Sequence, residues 1–232
     1  MQIAEQIREH GFAIVEDVLL PFQVEALIDA VSTEAMPEAL RGGVRNLMDV
    51  IPEFRTLAES EAMRALVAPV LGNRFAVVRA ILFDKTPDAN WKVPWHQDVT
   101  IAVRERIECE GYGPWSLKTD VLHVQPPAEI LEQMISLRLH LDPCPASNGA
   151  LKVIPGSHRN GKLSVAETEK LTAQQAVICE APRGSALLMR PLLLHASSSS
   201  TSPHHRRVIH LDYADVKLPC GLEWRETQTL TS

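Results

Sequence analysis

The stretch Arg206-Arg207-Val208-Ile209-His210-Leu211-Asp212-Tyr213 alternates between two kinds of side chain. Its even positions hold Arg, Val, His and Asp, and its odd positions hold Arg, Ile, Leu and Tyr. Because successive side chains of a strand point to opposite faces, the stretch predicts a β-strand with one polar and one apolar face. We expect the apolar face to pack against helices and the polar face, with Arg206, to line a wet cavity.

A second stretch, Ile135 to Asp142, repeats the same alternation. Its polar positions are Ser136, Arg138, His140 and Asp142. Two polar faces of this kind favour a polar pocket. The alternative is that both polar faces meet bulk water, as in many antiparallel sheets.

From Phe75 onward the apolar runs are short and are separated by Pro, Gly, Asn and Ser clusters. The predicted strands are Phe75–Asp84, Trp95–Val103, Met134–Asp142, Ala150–Ile154, Ala176–Glu180, Ser185–Met189, Leu192–Ala196 and Arg207–Tyr213. Eight short strands without long helices between them predict a sandwich or jelly roll.

The first third of the chain is typical of helices. We predict helices over Gln2–His10, Phe22–Ala35 and Glu61–Leu71, and a short strand at Phe12–Val15. Gly11 suits the end of the first helix, Pro21 the start of the second, and Ser60 the N-cap of the third. Residues 1–74 should therefore form a mostly helical layer outside a core at 75–215, within one domain of 232 residues.

One long segment, from Arg104 to Pro127, fits neither a helix nor a strand. It mixes charges and contains Gly111, Gly113 and Pro114. A loop of this length inside a compact domain is often a lid or a binding loop, so we expect a cover over the site. A surface insertion is the alternative.

Composition excludes several classes of protein. The net charge is −6 and the arginines are scattered, which argues against a nucleic-acid partner. The most apolar stretch, Ala186–Ala196, is too short for a membrane span, and Glu5, Arg8 and Glu9 argue against a secretory signal. The four cysteines show no C-x-x-C spacing, and we expect reduced thiols in a cytoplasmic protein. They are Cys109, Cys144, Cys179 and Cys220.

The short motif Trp95-His96-Gln97-Asp98 places a histidine and a carboxylate two residues apart. In a strand both would point to the same face, as two ligands aimed at one point. Alone, the motif is weak, because a buried histidine hydrogen-bonded to an aspartate is common. His195, after the apolar run Leu192–Leu194, is a remote third candidate, although a packed core histidine is the alternative. Two imidazoles and one carboxylate make the facial set of non-haem Fe(II) oxygenases.

These motifs together resemble the phytanoyl-CoA dioxygenase family of Fe(II)- and 2-oxoglutarate-dependent oxygenases. The shared motifs are Lys85-Thr86-Pro87, Trp95-His96-Gln97-Asp98, Asn148-Gly149-Ala150-Leu151, Val153-Ile154-Pro155-Gly156-Ser157-His158, and His195-Ala196-Ser197 followed by Arg206. They occur in the family's order and span roughly residues 12 to 213.

The resemblance implies a double-stranded β-helix, a jelly-roll, cupin-like core, with His96, Asp98 and His195 as iron ligands. It also implies that Arg206 pairs with the distal carboxylate of 2-oxoglutarate and that Ser197 contacts the same cosubstrate. Arg138 falls on the strand that faces this cosubstrate. The implied cofactors are Fe(II), 2-oxoglutarate and O2.

The implied activity is hydroxylation of a C–H bond of a small molecule, with succinate and CO2 as coproducts. Asp98 is present, whereas halogenating relatives lack this carboxylate. No basic cluster suggests a CoA thioester as the substrate. The sequence departs from the family pattern in the serine run Ser197–Ser200 and at His204-His205. These differences affect the expected geometry of the loop and not the iron ligands. Trp91, Trp115, Arg138 and His140 are candidates for the substrate pocket.

Two other classes of function fit the same residues. One is a non-catalytic β-helix protein that keeps a metal site for ligand binding. The other is a cupin-like zinc hydrolase or isomerase that uses the same three ligands. The oligomeric state is not indicated by the sequence.

Overall fold

The computed structural model describes residues 2–33, 43–86, 90–201 and 205–226. Its helices are α1 (Ile3–His10), α2 (Pro21–Thr33), α3 (Leu47–Val50), α4 (Glu53–Ala58), α5 (Glu61–Leu71), α6 (Ala128–Glu132) and α7 (Val165–Thr172). Short 3-10 helices lie at Ala146–Asn148 and Ser157–Asn160. Among the residues described, no helix has the length and apolar character that crossing a bilayer requires.

The strands form three antiparallel sheets. They are β1 (Phe12–Val15), β2 (Ala76–Lys85), β3 (Val93–His96), β4 (Ile101–Ala102), β5 (Trp115–Lys118), β6 (Val121–Val124), β7 (Met134–His140), β8 (Leu151–Val153), β9 (Val177–Cys179), β10 (Ala186–Met189), β11 (His195–Ser197) and β12 (Arg206–Ala214). The major sheet has the order β1-β10-β7-β12-β2, the minor sheet β3-β11-β8-β9, and the small sheet β4-β6-β5.

The major and minor sheets pack face to face. Leu151, Val153 and Cys179 of the minor sheet form one buried cluster with Leu187 and Met189 of the major sheet. Two antiparallel sheets that share a core in this way form the predicted jelly roll, with helices flanking it.

The outer face of the major sheet carries the main core. Ile209, Leu211 and Tyr213 of β12 are buried in one cluster with residues of α2 and α5. The Tyr213 hydroxyl also donates to the carbonyl oxygen of Ala58, at 2.8 Å. Arg207, on the same face, binds the Asp142 carboxylate through Nε and Nη2 at 2.9 and 2.8 Å. The predicted register of this strand is therefore confirmed.

The inner face of the same sheet is polar and buried. Its members are at most 8% exposed: Ser136, Arg138, His140, Arg206, His210 and Asp212. They do not meet bulk water, so that alternative is wrong. They are enclosed because the minor sheet and the segments joining it to the major sheet lie over them.

The strand predicted over Trp95–Val103 is interrupted in the structure. β3 ends at His96, and β4 begins only at Ile101. Between them the Asp98 N–H donates to the carbonyl oxygen of Pro191, at 2.9 Å, instead of continuing a ladder. The prediction of one continuous strand is therefore wrong.

The segment 104–127 is also more regular than predicted. It contains the hairpin β5–β6, whose second strand pairs with β4 through Ile101 and Val124. The view of it as an irregular loop is wrong, because exposed residues of β5 such as Leu117 hide the strand alternation. That the segment closes over the site stays a prediction.

The N-terminal helices follow the sequence closely. Gly11 ends α1 with φ of 85°, and its N–H donates to the Ile7 carbonyl. Ser60 caps α5 by accepting from the Met63 N–H. The last two residues predicted for the second helix, 34 and 35, lie outside the described residues. The short helices α3 and α4 were not predicted, because four to six residues are too few to show a period.

We expected all four cysteines to be reduced, and this prediction is wrong for two of them. Cys109 and Cys220 form a disulfide between residues 111 positions apart in the sequence, with Cα atoms 6.0 Å apart. The spacing could not show it, because only the fold brings the segment after β12 against the small sheet. Cys144 and Cys179 are free and buried.

Alkylation of the denatured, unreduced protein should label two cysteines, and prior reduction should raise the number to four. Cys109→Ser should lower the free energy of unfolding under oxidising conditions by about 2–4 kcal/mol, because the cross-link restricts the unfolded chain. Mass spectrometry and urea unfolding measure the two effects. Cys179→Ser serves as the thiol control, and four labelled cysteines before reduction would contradict the pairing.

Candidate active site

Two histidines from distant parts of the chain meet across the minor sheet. His195 of β11 is the direct cross-strand partner of His96 of β3. Directly opposite residues of an antiparallel pair have neighbouring side chains, and the two imidazole rings have centroids 4.1 Å apart. His195 is buried, whereas His96 keeps about a third of its side chain exposed.

Asp98 completes the group from the loop after β3. Its carboxylate oxygens lie 3.9 Å from His96 Nε2 and 3.8 Å from His195 Nε2. One ligand atom from each of the three residues lies within 4.8 Å of the others. Distances of 3.8–3.9 Å are too long for hydrogen bonds. The alternative of an aspartate hydrogen-bonded to a buried histidine therefore does not describe this group.

The other ring nitrogen of each histidine is already engaged. His96 Nδ1 lies 2.9 Å from the Pro94 carbonyl oxygen, and His195 Nδ1 lies 2.8 Å from that of Leu193. An N–H on Nδ1 that donates to a carbonyl leaves the lone pair on Nε2, and outer hydrogen bonds of this kind orient metal-ligating histidines. Both Nε2 atoms and the Asp98 carboxylate thus form a donor set that fits a divalent cation.

The electrostatics of the group favour its metal-binding protonation state. Burial would raise the pKa of Asp98, but His195, His210, Arg79 and His96 hold it below its ordinary value. Burial lowers the pKa of His195 to about 4, although Asp98 opposes this. At neutral pH the site therefore presents a carboxylate and a neutral buried imidazole.

Gln97 fixes the loop that carries Asp98. Its amide nitrogen donates to the carbonyl oxygens of Gly161 and Leu192, at 2.8 and 2.7 Å, and its oxygen accepts from the Leu163 N–H at 2.8 Å. The side chain between the two ligands thus points away from them and attaches their loop to two other segments. Strand alternation would also turn Gln97 away from His96 and Asp98, although the backbone is not a strand there.

A second polar group lies at the end of β12. Arg206 is buried, donates through Nη1 to the Gly149 carbonyl, and leaves its Nε–H without a partner. Ser197 accepts from Lys85 Nζ at 3.2 Å, and Lys85 is the register partner of Arg206 on β2. Gly149 has φ of 68°, and a Cβ there would lie 2.6 Å from the Ser198 carbonyl oxygen. The glycine therefore keeps room beside the two cations.

Lys85 is the functional candidate that sequence reasoning missed, although it begins the Lys85-Thr86-Pro87 motif. It is 1% exposed, and burial together with Arg206 lowers its pKa to about 8. Lys85, Arg138 and Arg206 form no ion pair with a carboxylate of the described residues. Buried cations without a counter-charge are costly, so this group fits a small dianion such as 2-oxoglutarate.

A charged network lies beneath the candidate ligands. Asp212 accepts from Arg79 Nε at 2.5 Å and from Ser136 Oγ at 2.6 Å, and its Oδ1 lies 2.9 Å from His210 Nε2. His210 Nδ1 in turn lies 3.1 Å from Arg138 Nη1. The network joins the predicted cosubstrate residue Arg138 to the centre of the inner face, and its cation Arg79 acts on Asp98.

The remaining pocket candidates fall in different places. Trp91 lies beside Lys85, whose Nζ is 5.5 Å from the ring centroid. His140 is buried with both ring nitrogens unpartnered, next to the charges of Arg138 and Arg206. Trp115 packs with the apolar cluster behind the small sheet. Its strand turns it to the face opposite that of His123. Its assignment to the substrate pocket stays a prediction.

A jelly roll that brings two histidines and one carboxylate together carries the ligand set of non-haem iron oxygenases. The family model for phytanoyl-CoA dioxygenase (PhyH) matches residues 7–208. The chain belongs to this family. Membership confirms the resemblance seen in the sequence, and together with the His-Asp-His group it confirms Fe(II), 2-oxoglutarate and O2 as the cofactors.

Individual relatives agree with the family and the fold. Phytanoyl-CoA dioxygenase 1 of Oryza sativa subsp. japonica is 24% identical over 195 residues, which cover 79% of this chain and 59% of the rice protein. The chain therefore spans about three fifths of the length of that relative.

Two solved structures show the same fold at low identity. EctD from S. alaskensis, solved with 2-oxoglutarate and 5-hydroxyectoine, is 19% identical with a TM-score of 0.70 over 91% of this chain and 74% of EctD. The non-haem α-ketoglutarate-dependent epimerase SnoN from nogalamycin biosynthesis is 16% identical with a TM-score of 0.69. That match covers 92% of this chain and 81% of SnoN.

Asp212→Ala should lower the free energy of unfolding by about 3–5 kcal/mol, because it leaves buried Arg79 without its counter-charge. Ser136→Ala removes only one of the hydrogen bonds to the same carboxylate, and should cost about 1 kcal/mol. Urea unfolding of both variants measures the difference. Equal costs would show that the Arg79–Asp212 pair does not hold the inner face together.

Proposed function

We propose that this protein is an Fe(II)- and 2-oxoglutarate-dependent dioxygenase that hydroxylates a C–H bond of a small-molecule substrate. One oxygen atom of O2 enters the substrate as a hydroxyl and the other enters succinate, while the C1 carboxyl of 2-oxoglutarate leaves as CO2. The family membership supports the class of chemistry. Hydroxylation in particular is part of the proposal, because SnoN, which has a similar fold, is an epimerase.

One observation carries the proposal. Two groups of opposite character lie on the two sheets: a His-Asp-His group without internal hydrogen bonds at the minor sheet, and a group of cations on the major sheet that has no ion-paired carboxylate among the described residues. The first is suited to a divalent metal and the second to the distal carboxylate of 2-oxoglutarate. A zinc hydrolase would need the first group but has no use for the second.

We assign His96, Asp98 and His195 as the metal ligands. Fe(II) held by these three side chains would supply the site at which 2-oxoglutarate and O2 react. Gln97 keeps Asp98 aimed at the two Nε2 atoms, and the neutral imidazole of His195 needs no proton removed before it binds.

We assign Arg206, Ser197 and Arg138 to the cosubstrate, and add Lys85. The Arg206 guanidinium offers its free Nε–H to a carboxylate, and a planar two-pronged cation suits that group better than an ammonium. Lys85 adds a second charge and stays oriented by Ser197 and by the Ser198 carbonyl oxygen, which accepts from its Nζ at 2.9 Å. The enclosed setting keeps water away from this pair of charges.

The predictions on domain number, partners and location stay proposals. We propose one domain, a small-molecule partner, a cytoplasmic location, and no nucleic-acid or membrane partner. The match to the rice relative covers 59% of that protein. The proposed reaction is therefore based on the residues of this chain alone.

His96→Ala, Asp98→Ala and His195→Ala should each abolish 2-oxoglutarate turnover while the fold is kept, because the hydrophobic core supplies most of the stability. Succinate formation and far-UV circular dichroism measure the two properties. His10→Ala, which changes an exposed histidine of α1, is the matched control. Near-normal turnover in any one ligand variant would remove that residue from the ligand set.

The same assay separates the alternatives. The oxygenase should bind Fe(II) and 2-oxoglutarate with a weak visible charge-transfer band and should form succinate slowly without its substrate. A binding protein would show the band without succinate. A zinc enzyme would be indifferent to 2-oxoglutarate.

The neighbouring arginines of β12 should respond unequally. Arg206→Ala should raise the 2-oxoglutarate requirement by about a hundredfold or more, because it removes one member of a buried charge pair. Arg206→Lys should restore it only in part. Arg207→Ala should reduce stability modestly through the loss of the Asp142 pair and leave the cosubstrate requirement unchanged. Titration of 2-oxoglutarate against each variant measures the requirement. A larger increase for Arg207→Ala than for Arg206→Ala would contradict the assignment of Arg206 to the inner face.

A further inference from the structure

Three residues, Gly161–Leu163, join the 3-10 helix at Ser157–Asn160 to the start of α7. Both neighbours of this segment are anchored. The first residue of the 3-10 helix accepts through its hydroxyl from the Leu194 N–H, at 2.9 Å, and Ser164 forms a capping box with Glu167 at the start of α7. Residues 161–163 themselves make no backbone–backbone hydrogen bond to any described residue. Their position therefore depends on side chains.

Two side chains attach this segment. Gln97 binds the Gly161 carbonyl oxygen and the Leu163 N–H, both at 2.8 Å. Lys162, between these two contacts, donates through Nζ to the Pro126 carbonyl oxygen. A hydrogen bond from an ammonium group is charge-assisted and stronger than one between neutral groups. Within the described part of the chain, the bond from Lys162 is thus the one that holds the segment independently of Gln97.

Pro126 lies at the base of the hairpin β5–β6. The residue before it, Gln125, donates its N–H to the Pro114 carbonyl oxygen at 3.3 Å and accepts from the Gly113 N–H at 2.9 Å. These contacts continue the pairing of the two strands of the hairpin. Lys162 therefore attaches its segment to the small sheet and not to another loop.

Gln97 connects this attachment to the candidate metal ligands, because it stands between His96 and Asp98. β3 ends at His96, so no strand ladder orients Asp98. The loop is held instead by the Asp98 N–H, which donates to the Pro191 carbonyl oxygen at 2.9 Å, and by the Gln97 amide. A shift of residues 161–163 would therefore be passed to the residue next to Asp98.

Given the metal ligands assigned under the proposed function, we propose that Lys162 is a positioning residue of the metal site. Its bond to Pro126 fixes residues 161–163, and these fix Gln97. Gln97 in turn keeps the Asp98 carboxylate aimed at the two imidazoles. Hydrogen bonds outside the ligand set orient metal ligands and raise the affinity of a site. The metal site thus depends on the small sheet, which provides none of its ligands.

The test measures binding of Co(II), which accepts the same types of ligand as Fe(II) and whose visible absorption changes with the number and arrangement of its ligands. Co(II) is titrated into the wild type, Lys162→Met, Gln97→Met and the double variant. Methionine keeps a long, unbranched side chain and removes the hydrogen bonds. Lys162→Arg keeps a charged N–H donor. Lys170→Met, which changes an exposed lysine of α7, is the matched control.

We expect Gln97→Met to weaken Co(II) binding about tenfold or more, as the loss of outer hydrogen bonds does at metal sites. Lys162→Met should weaken it about threefold or more and change the visible spectrum, because the Asp98 carboxylate moves. Since Lys162 acts through Gln97, its loss should have little further effect in the double variant, so the two losses are not additive. Lys162→Arg should recover most of the affinity, and Lys170→Met should match the wild type.

A merely structural role of Lys162 gives a different pattern. Lys162→Met would then lower the free energy of unfolding in urea and leave the Co(II) affinity and spectrum unchanged, which would overturn the proposal. Additive losses in the double variant, or equal losses in Lys162→Arg and Lys162→Met, would also overturn it.

Calorimetry of 2-oxoglutarate binding to the Co(II)-loaded wild type tests the proposed function separately. Absence of 2-oxoglutarate binding there would count against the proposed function, whatever the Co(II) titrations show for Lys162.

Discussion

The buried carboxylate of Asp212 is the contact on which the inner surface depends. A sheet face that carries arginine and histidine can be enclosed only if those groups are neutralised or hydrogen-bonded. Asp212 meets two of them, Arg79 and His210, and also accepts from the Ser136 hydroxyl. This leaves a defined remainder: the cations Lys85, Arg138 and Arg206 stay without an acid in the described chain. The fold thus neutralises Arg79 with its own carboxylate and leaves the three other cations to be neutralised by a ligand.

Much of the fold could be predicted because its strands have one wet and one dry face. The alternation in Arg206–Tyr213 gave the correct register, and the family motifs indicated which face carries the site. The sequence could not show that this wet face is enclosed, because enclosure depends on the minor sheet, whose strands are only three or four residues long. The same brevity hid α3, α4 and the hairpin β5–β6.

The site itself could be predicted only in part. His96 and Asp98 are close in sequence, but the reason for their convergence differs from the prediction: the strand ends between them, and Gln97 holds the loop. Lys85 was not singled out, because nothing in the sequence shows that a lysine at the end of an amphipathic strand is buried. The disulfide between Cys109 and Cys220 depends on a long-range approach of the chain, which the spacing of the cysteines does not show.

The pairing of β3 with β11 is short and irregular. Only His195 with His96 and Ser197 with Val93 are in register, and the ladder shifts between them. β3 is also the edge strand of the minor sheet. A cation held by His96, Asp98 and His195 would therefore act as a non-covalent cross-link between residues 99 positions apart, closing an edge that the backbone closes weakly. Ligand binding to the native state alone adds to its stability, so loss of the metal would loosen this edge as well as end catalysis.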